Sequence, residues 1–291
     1  MKNKKLLSLL LAFAIAVTLL AGCSGRKEEE PEVSEDSSIS ISASQPEVAV
    51  SGEKVPELTA LVAEKKGLNA DSIGWLQVPN TEIDDVVLVN FNDNQYYLRR
   101  NFELQYDFNG VYYADRRSTF GTGTRDELGM NTCIYGHAMT DNPENGNYPI
   151  KFGPLHNFRD EKFAKETPYI FFSTAEEDMA FEVFAVFFAD SNNLSYNRND
   201  LAASEFYRMV NEDVRARSIY DYDVEVKEGD KILTLSTCIY HLPNGYQTGY
   251  PKTFYRFAIM AKLVDKDAPL RAEAAFTINE DFVLDPDTYP K

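Results

Sequence analysis

Short runs rich in β-branched and aromatic residues, each bounded by turn residues, occupy most of this chain after residue 57. The segment 74–79 predicts a turn that leads into a short strand. Many short strands separated by turns are typical of barrels, so we expect a mainly-β fold that closes, or nearly closes, into a barrel. The other runs predict strands over the ranges 85–89, 110–113, 132–135, 169–172, 180–188, 231–236 and 254–264.

Two stretches have helical rather than strand periodicity. Apolar residues spaced along one helix face predict a short N-terminal helix over about 57–66, with Gly67 at its end. The stretch 201–217 has the same spacing and predicts a helix inserted between two strands. No internal repeat is visible, so residues 56–291 are predicted to form one domain.

The N-terminus has the pattern of a bacterial export signal. Three lysines precede an almost wholly apolar run over 6–20, which suits the core of a signal peptide better than a spanning helix. Small residues then precede Cys23, as in a lipobox. We expect residues 1–22 to be removed, Cys23 to be lipidated, and the folded domain to lie outside the cytoplasm on the cell membrane. An uncleaved signal anchor with an incidental Cys23 is the alternative.

Residues 23–55 predict a disordered acidic linker. They are rich in Ser, Glu and Pro and contain almost no aromatic residue. Such a segment cannot bury enough apolar surface to offset the entropy lost on ordering.

The formal charge of -17 excludes partners that need a basic surface. Nucleic acids and anionic lipid headgroups both bind through clustered Lys and Arg, so electrostatic binding to either is not expected. The spacing of the His and Cys residues matches no metal-binding motif, so neither a metal nor a cofactor is expected.

Cys238 is the first candidate for chemistry. It ends the predicted strand that begins at Lys231. A thiol at a strand end is held rigidly and can still reach solvent, as a nucleophile requires. Cysteine is also among the most buried residue types, so a structural role is the alternative.

His137 and Arg256 have comparable settings. His137 follows a β-run and Gly136, and a histidine near a thiol can pair with a thiolate or protonate a leaving amine. Arg256 stands among aromatic residues on the strand after Cys238, where its fixed charge could hold an oxyanion. A hydrogen-bonded structural histidine and an outward-facing strand arginine are the alternatives.

The residues around these three positions resemble the signatures of the sortase family. Thr234-Leu235-Ser236-Thr237-Cys238 is similar to the sortase nucleophile signature, and Tyr135-Gly136-His137 is similar to the histidine signature. Arg256 lies on the following strand, as the family arginine does. The order His, Cys, Arg also matches, whereas papain-like and cell-wall peptidase families place Cys before His.

Further segments are similar to class B sortases, and the resemblance covers about residues 56–265. It implies an eight-stranded sortase β-barrel in which the two helices are class B additions. It also implies a transpeptidase that cleaves the C-terminal sorting signal of surface proteins through a thioacyl-enzyme. The proteins are then transferred to an amine of peptidoglycan or pilin. The expected enzyme is a monomer on the membrane of a Gram-positive-type bacterium. The similar segments are 74–79, 93–98, 110–115 and the helices at 57–66 and 201–217.

In the reaction that the resemblance implies, Cys238 is the nucleophile, His137 its proton partner and Arg256 the oxyanion group. Tyr240 stands two residues after the nucleophile, so no neighbouring carboxylate completes a Cys-His-Asp set, and a Cys-His-Arg site is favoured. His241 is a rival base. Ser236, Thr237, Tyr240 and His241 are predicted to contact the substrate.

Cys133 and His156 have no counterpart in that pattern. On an extended strand Cys133 shares a face with His137. Two hypotheses follow for Cys133: a disulfide with Cys238 that silences the enzyme, or a small buried core residue. His156 is assigned no chemistry.

Two other functions fit the same residues. A sortase-like lipoprotein could serve as a binding module without catalysis, although the intact Cys, His and Arg weigh against it. A hydrolase could release surface proteins instead of attaching them. The residues around Cys238 do not match a cysteine L,D-transpeptidase.

Overall fold

The computed structural model describes residues 54–139, 149–190, 196–239, 242 and 255–284. The predicted signal peptide, Cys23 and nearly all of the linker lie outside these ranges, as do Tyr240 and His241. All the described residues belong to one compact unit. Among them, no helix is both long enough and apolar enough to cross a membrane.

The described residues form twelve strands, and eight of them close into a barrel. The strands are β1 (Ser72–Gln77), β2 (Asp84–Leu88), β3 (Tyr112–Ala114), β4 (Asn131–Tyr135), β5 (Ala138–Met139), β6 (Ile150–Lys151), β7 (Tyr169–Ser173), β8 (Asp178–Asp190), β9 (Tyr220–Tyr222), β10 (Ile232–Cys238), β11 (Tyr255–Leu263) and β12 (Phe276–Ile278).

The order around the barrel is β1-β2-β3-β4-β10-β11-β8-β7, and β7 pairs back onto β1. The pairs β2–β3 and β4–β10 are parallel, and the other barrel pairs are antiparallel. The prediction of a closed, mainly-β barrel is therefore confirmed. Each predicted strand has an observed counterpart, with ends that differ by a few residues.

The four strands outside the barrel pair as two short ribbons, β5 with β6 and β9 with β12. They were not predicted from the sequence. Strands of two or three residues are too short to display a period of two, so their sequences carry no alternation to detect.

The helices are α1 (Thr59–Leu68), α2 (Glu161–Glu166), α3 (Ala203–Met209) and α4 (Arg215–Arg217). A π-helical turn at Val210–Val214 joins α3 to α4, so the two form one helical stretch, as predicted for 201–217. The helix α1 ends at Leu68, beyond Gly67, because the chain becomes extended only at Asn69.

The long strand β8 and its neighbour β7 are buried almost throughout. Phe172, Phe181, Phe184 and Phe187 are fully buried in the main core. Because both faces of these strands are covered, their sequences read as continuous apolar runs and not as an alternation of apolar and polar residues.

Candidate active site

Cys238 and Arg256 lie directly opposite each other on the antiparallel strands β10 and β11. Cys238 is the last residue of β10, and both side chains are partly exposed. Residues that pair across a sheet point to the same face. The thiol and the guanidinium are therefore on one face of the barrel, at the end where β10 stops.

His137 reaches the same end of the barrel from the other side of β10. The last pair between the parallel strands β4 and β10 joins Tyr135 to Ser236. His137 follows Tyr135 by two residues, and Cys238 follows Ser236 by two, so both leave the sheet at the same end. The Thr237 hydroxyl donates a hydrogen bond to the Gly136 carbonyl (2.7 Å) and ties the two exits together.

The imidazole of His137 has a defined orientation. Its Nε2 lies 2.9 Å from the Leu98 carbonyl oxygen, which can only accept, so Nε2 carries the proton. Burial lowers the pKa of His137 below its ordinary value. The hydrogen bond to the Leu98 carbonyl raises this pKa in part, and the positive charges of Arg99 and Lys151 lower it further. The ring is accordingly neutral at pH 7, with Nδ1 as its basic nitrogen.

Comparison with known proteins bears directly on this arrangement. Sortase B of Listeria monocytogenes is 30% identical to the chain over 217 residues, which cover 75% of this chain and 78% of that protein. The chain belongs to the sortase B family. Sortase B of Staphylococcus aureus is 25% identical over 197 residues, covering 68% of this chain and 72% of that protein. No protein-family model matches the sequence.

Solved structures agree on the fold. The Staphylococcus aureus sortase B–substrate complex aligns with a TM-score of 0.59 at 23% identity, over 72% of this chain and 87% of that one. A Bacillus anthracis protein similar to sortase B aligns with a TM-score of 0.57 at 26% identity, over 74% and 89%. The class B resemblance and the eight-stranded sortase barrel are thus confirmed, and the chain is a sortase, a cysteine transpeptidase.

In this sortase, Gly136 is required by close packing. A Cβ added there would lie 2.7 Å and 2.8 Å from ring atoms of Phe152 and 3.0 Å from the Tyr112 ring. The rings of Tyr112 and Phe152 are stacked, with centroids 4.6 Å apart. A larger residue at position 136 would therefore displace either this stack or the backbone that carries His137.

The strand before His137 is fixed by a buried carboxylate that the sequence analysis did not single out. The Tyr135 hydroxyl donates to Asp115 (2.7 Å), and Arg117 donates to the same carboxylate at 2.8 Å and 2.7 Å. Burial alone raises the pKa of Asp115, but the hydrogen bonds from Arg117 and Tyr135 bring it below its ordinary value. No motif could have revealed this, because Asp115 meets Tyr135 only through the β3–β4 pairing.

Tyr113 is a further neighbour that was missed. It pairs with Tyr135 across β3–β4, and the two ring centroids lie 5.4 Å apart. Burial raises the pKa of Tyr113, the charge of Cys238 raises it further, and the charge of Arg256 opposes this. Tyr113 is therefore close enough to both residues to respond to their charges.

Ser236 and Thr237, predicted to contact substrate, are both 2% exposed. The Ser236 hydroxyl is hydrogen-bonded to the Tyr196 hydroxyl (2.8 Å), and the Thr237 hydroxyl to Gly136. Direct contact with substrate stays a prediction. Tyr240 and His241, the other two predicted contacts, lie outside the described residues.

The hypothesis of a Cys133–Cys238 disulfide is wrong for this fold. Both thiols are free, and Cys133 lies opposite Thr234, four residues along β10 from Cys238. Four strand residues span about 13 Å, whereas bridged cysteines need Cα atoms within about 7 Å. Cys133 is fully buried, and burial raises the pKa of its thiol, which fits the alternative of a core residue.

His156, for which no chemistry was predicted, lies beside the nucleophile candidate. Its Nε2 is 3.2 Å from the Cys238 carbonyl oxygen.

The described ranges contain no group of three or more His, Cys, Asp or Glu side chains that could hold a metal ion.

Proposed function

We propose that this sortase cleaves the C-terminal sorting signal of surface proteins and transfers them to an amine of peptidoglycan or of a pilin. The reaction would pass through a thioacyl-enzyme on Cys238. The observation that carries this proposal is the pairing of Cys238 with Arg256 across β10–β11, with His137 leaving the neighbouring strand at the same end. This arrangement supplies a thiol, a fixed cation and a titratable ring at one end of the barrel.

Each residue has a distinct task in the proposed reaction. The Cys238 thiol gives its proton to Nδ1 of the neutral His137, and the thiolate so formed attacks the scissile carbonyl while the Arg256 guanidinium donates hydrogen bonds to the developing oxyanion. When the C–N bond breaks, His137 gives a proton to the departing amine. The acceptor amine then attacks the thioester, loses its proton to His137, and releases Cys238.

Two solved sortase B structures support the substrate classes. One is a complex of the Staphylococcus aureus enzyme with a substrate, and another is a sortase B complex with triglycine. For the present chain we infer a sorting-signal peptide as acyl donor and a primary amine as acceptor.

Attachment to the outer face of the cell membrane is part of the proposal and is supported by the lipobox before Cys23. The mass of the N-terminal peptide after expression tests it, because lipidation adds acyl chains to Cys23. Recovery of residues 1–22 on an unmodified chain would favour the uncleaved anchor. We also propose a monomer without nucleic-acid partners, and sedimentation of the detergent-solubilised protein tests the oligomeric state.

The deciding experiment is detection of the acyl-enzyme. Residues 56–291 are incubated with a library of fluorogenic sorting peptides, and intact mass is recorded for wild type and for Cys238→Ala. We expect a peptide-sized adduct on the wild type alone, and cleavage that is lost in Cys238→Ala, His137→Ala and Arg256→Ala. Cleavage that survives Cys238→Ala would overturn the proposal.

Two controls separate the alternatives. Products are analysed with and without an added amine acceptor, because a hydrolase gives the free acid in both cases while a transpeptidase gives the amide when amine is present. No adduct and no cleavage across the library would favour the non-catalytic binding module.

A further inference from the structure

The Cys238 carbonyl lies where the neighbouring strand has ended. On the same strand, the Ser236 carbonyl accepts a hydrogen bond from the Gly136 backbone (3.4 Å), so it points toward β4. Carbonyls two residues apart on a strand point the same way. The Cys238 carbonyl therefore also points to the β4 side, but β4 stops at Tyr135 and no strand residue pairs with Cys238 there.

His156 takes the place of the missing strand. Its Nε2 lies 3.2 Å from the Cys238 carbonyl oxygen, and since that oxygen can only accept, the ring must donate. The ring stacks on Phe257 with centroids 4.9 Å apart and an interplanar angle of 15°. Phe257 pairs with Thr237 and directly follows Arg256 in the chain, so one ring contacts both strands that carry the site.

The segment that carries His156 is held firmly. It is a 3₁₀ helix, Gly153–Arg159, whose Leu155 and Phe158 are fully buried in the main core. Burial lowers the pKa of His156 to about 4, which leaves the ring neutral near pH 7. A neutral ring with its proton on Nε2 is the form that donates to a carbonyl while keeping an uncharged stack on Phe257.

We propose that His156 is a positioning residue for Cys238: its Nε2–H holds the Cys238 carbonyl where β4 has ended and so fixes the thiol relative to Arg256. This inference rests on the proposed role of Cys238 as nucleophile. His156 touches the backbone of Cys238 and has no place in the proton transfers assigned to His137.

The geometry also says which kinetic parameter responds. His156 contacts the backbone of Cys238, and it also lines a polar pocket of about 660 Å³ that Cys238, His137 and Arg256 do not line. Loss of the His156 donor should misplace the thiol during the chemical step, and it removes no group to which the proposed reaction assigns peptide binding. The expected effect falls on kcat and not on KM.

The test uses three variants of the full-length protein. His156→Phe keeps a flat ring on Phe257 and removes the donor, whereas His156→Gln places an amide nitrogen near the position of Nε2. Asn157→Ala changes an exposed neighbour on the same segment and is the matched control. Two rates are measured: turnover of a sorting peptide per titrated Cys238 thiol, and alkylation of Cys238 by iodoacetamide, which needs no substrate.

We expect His156→Phe to lower kcat about tenfold or more with little change in KM, since a small misplacement of a reacting group costs at least this much. Its alkylation rate should change as well, while His156→Gln and Asn157→Ala stay within about threefold of wild type for both rates. Unchanged kcat and alkylation in His156→Phe would overturn the inference. A second result would also overturn it: His156→Phe and His156→Gln lose the same amount of turnover, and the loss disappears once rates are normalised to folded, titratable protein. That pattern is expected of a purely structural histidine.

Failure of the proposed function gives a different result. If the wild-type protein turns over no sorting peptide, the alkylation rates of Cys238 still test the inference. A changed alkylation rate in His156→Phe, together with a wild-type rate in His156→Gln, supports positioning of Cys238 by His156. Equal alkylation in all variants refutes it.

Discussion

Cys238 faces Arg256 across an antiparallel strand pair, so the sheet itself sets the spacing between thiol and guanidinium. Opposed residues in such a pair have Cα atoms about 4.5–5.5 Å apart. The Arg256 guanidinium donates a hydrogen bond to the Tyr255 carbonyl (2.9 Å), and in the proposed reaction it is the cation available beside the thiol for the oxyanion. The opposition of Cys238 and Arg256 is set by the backbone register, and it should persist in variants that keep the barrel.

Substitution of Arg256 should slow the chemistry without loss of the fold. Arg256→Ala is expected to lower kcat about 100-fold or more, as when one oxyanion donor is removed elsewhere, with little change in KM. Arg256→Lys should recover only part of this, because an ammonium cannot reproduce the planar fork. Steady-state kinetics check the result, and Lys262→Ala, at the far end of β11, is the control. A wild-type kcat in Arg256→Ala would remove the residue from the reaction.

The close packing at Gly136 gives a prediction about stability and activity together. Gly136→Ala should destabilise the protein by about 1–3 kcal/mol, the usual cost of overpacking, because its Cβ meets Phe152 and Tyr112. Turnover should fall too, since the same backbone carries His137. Gly67→Ala is the control: no atom lies within 4 Å of the added Cβ, and alanine favours a helix, so stability should stay level or rise. Urea unfolding of both variants decides the matter.

Local sequence was sufficient to single out Cys238, His137 and Arg256 as candidate site residues. The strand ends that carry Cys238 and His137, and the strand that carries Arg256, were evident from short apolar runs and from motifs contiguous in sequence. Asp115, Tyr113 and His156 were missed because each meets the site through pairing or packing with a distant segment. The shared face of Cys133 and His137 stays a prediction, because β4 ends at Tyr135; the pairing of Cys133 with Thr234, which rules out the disulfide, depends on a register that no local pattern reveals.

The elements of the fold likewise separate into those that were predicted from the sequence and those that were not. Long strands such as β8 and the helical stretch at 201–217 were found because their periodicity extends over several turns or pleats. The two-residue ribbon strands and the short helix α2 were not predicted, because two residues show no alternation and six residues make fewer than two helical turns.

Asp115→Asn should weaken the folded state. It removes the charge that pairs with Arg117 and replaces one of the two acceptor oxygens shared by Arg117 and Tyr135 with an amide NH2; because the Arg117 side chain is 32% exposed, solvent limits the cost to about 2 kcal/mol. The pKa of Asp115 is below its ordinary value, so its contribution is full above about pH 4 and is lost as the pH falls below that. Urea unfolding at pH 7 and pH 3.5 tests both statements. Glu212→Gln, which alters the exposed pair with Arg208, should change nothing measurable.

Thiol counting should find two free thiols in residues 56–291 under oxidising and reducing conditions alike. In the native state one thiol, Cys238, should react with a chromogenic disulfide reagent, because Cys133 is fully buried. The second should react only after unfolding in guanidinium chloride. Loss of both thiols on mild oxidation, with a single chain remaining, would mean that Cys133 and Cys238 can meet after all.

The pH dependence of the free energy of unfolding should include a contribution from His156. Above about pH 6.5, the ordinary histidine value, folded and unfolded chains both hold a neutral ring. As the pH falls toward 4, His156 is protonated in the unfolded chain, whereas burial disfavours its protonation in the folded protein. The free energy of unfolding should therefore drop by about 3 kcal/mol. His156→Gln should lack this component. Urea unfolding between pH 7 and pH 4 compares the two, and identical slopes would contradict the prediction.

The parallel pairing of β4 with β10 has a consequence for when the enzyme first becomes competent. Gly136 and Thr237, bonded at the end of this pair, are 101 residues apart in sequence. Bringing together such distant partners requires closure of a long loop, which is slow and comes after local structure has formed. His137 and Cys238 are therefore brought to the same end of the barrel only in a chain in which β4 has paired with β10. Catalytic competence should therefore appear late in folding, and a chain in which β4 and β10 have not yet paired carries a thiol without its histidine.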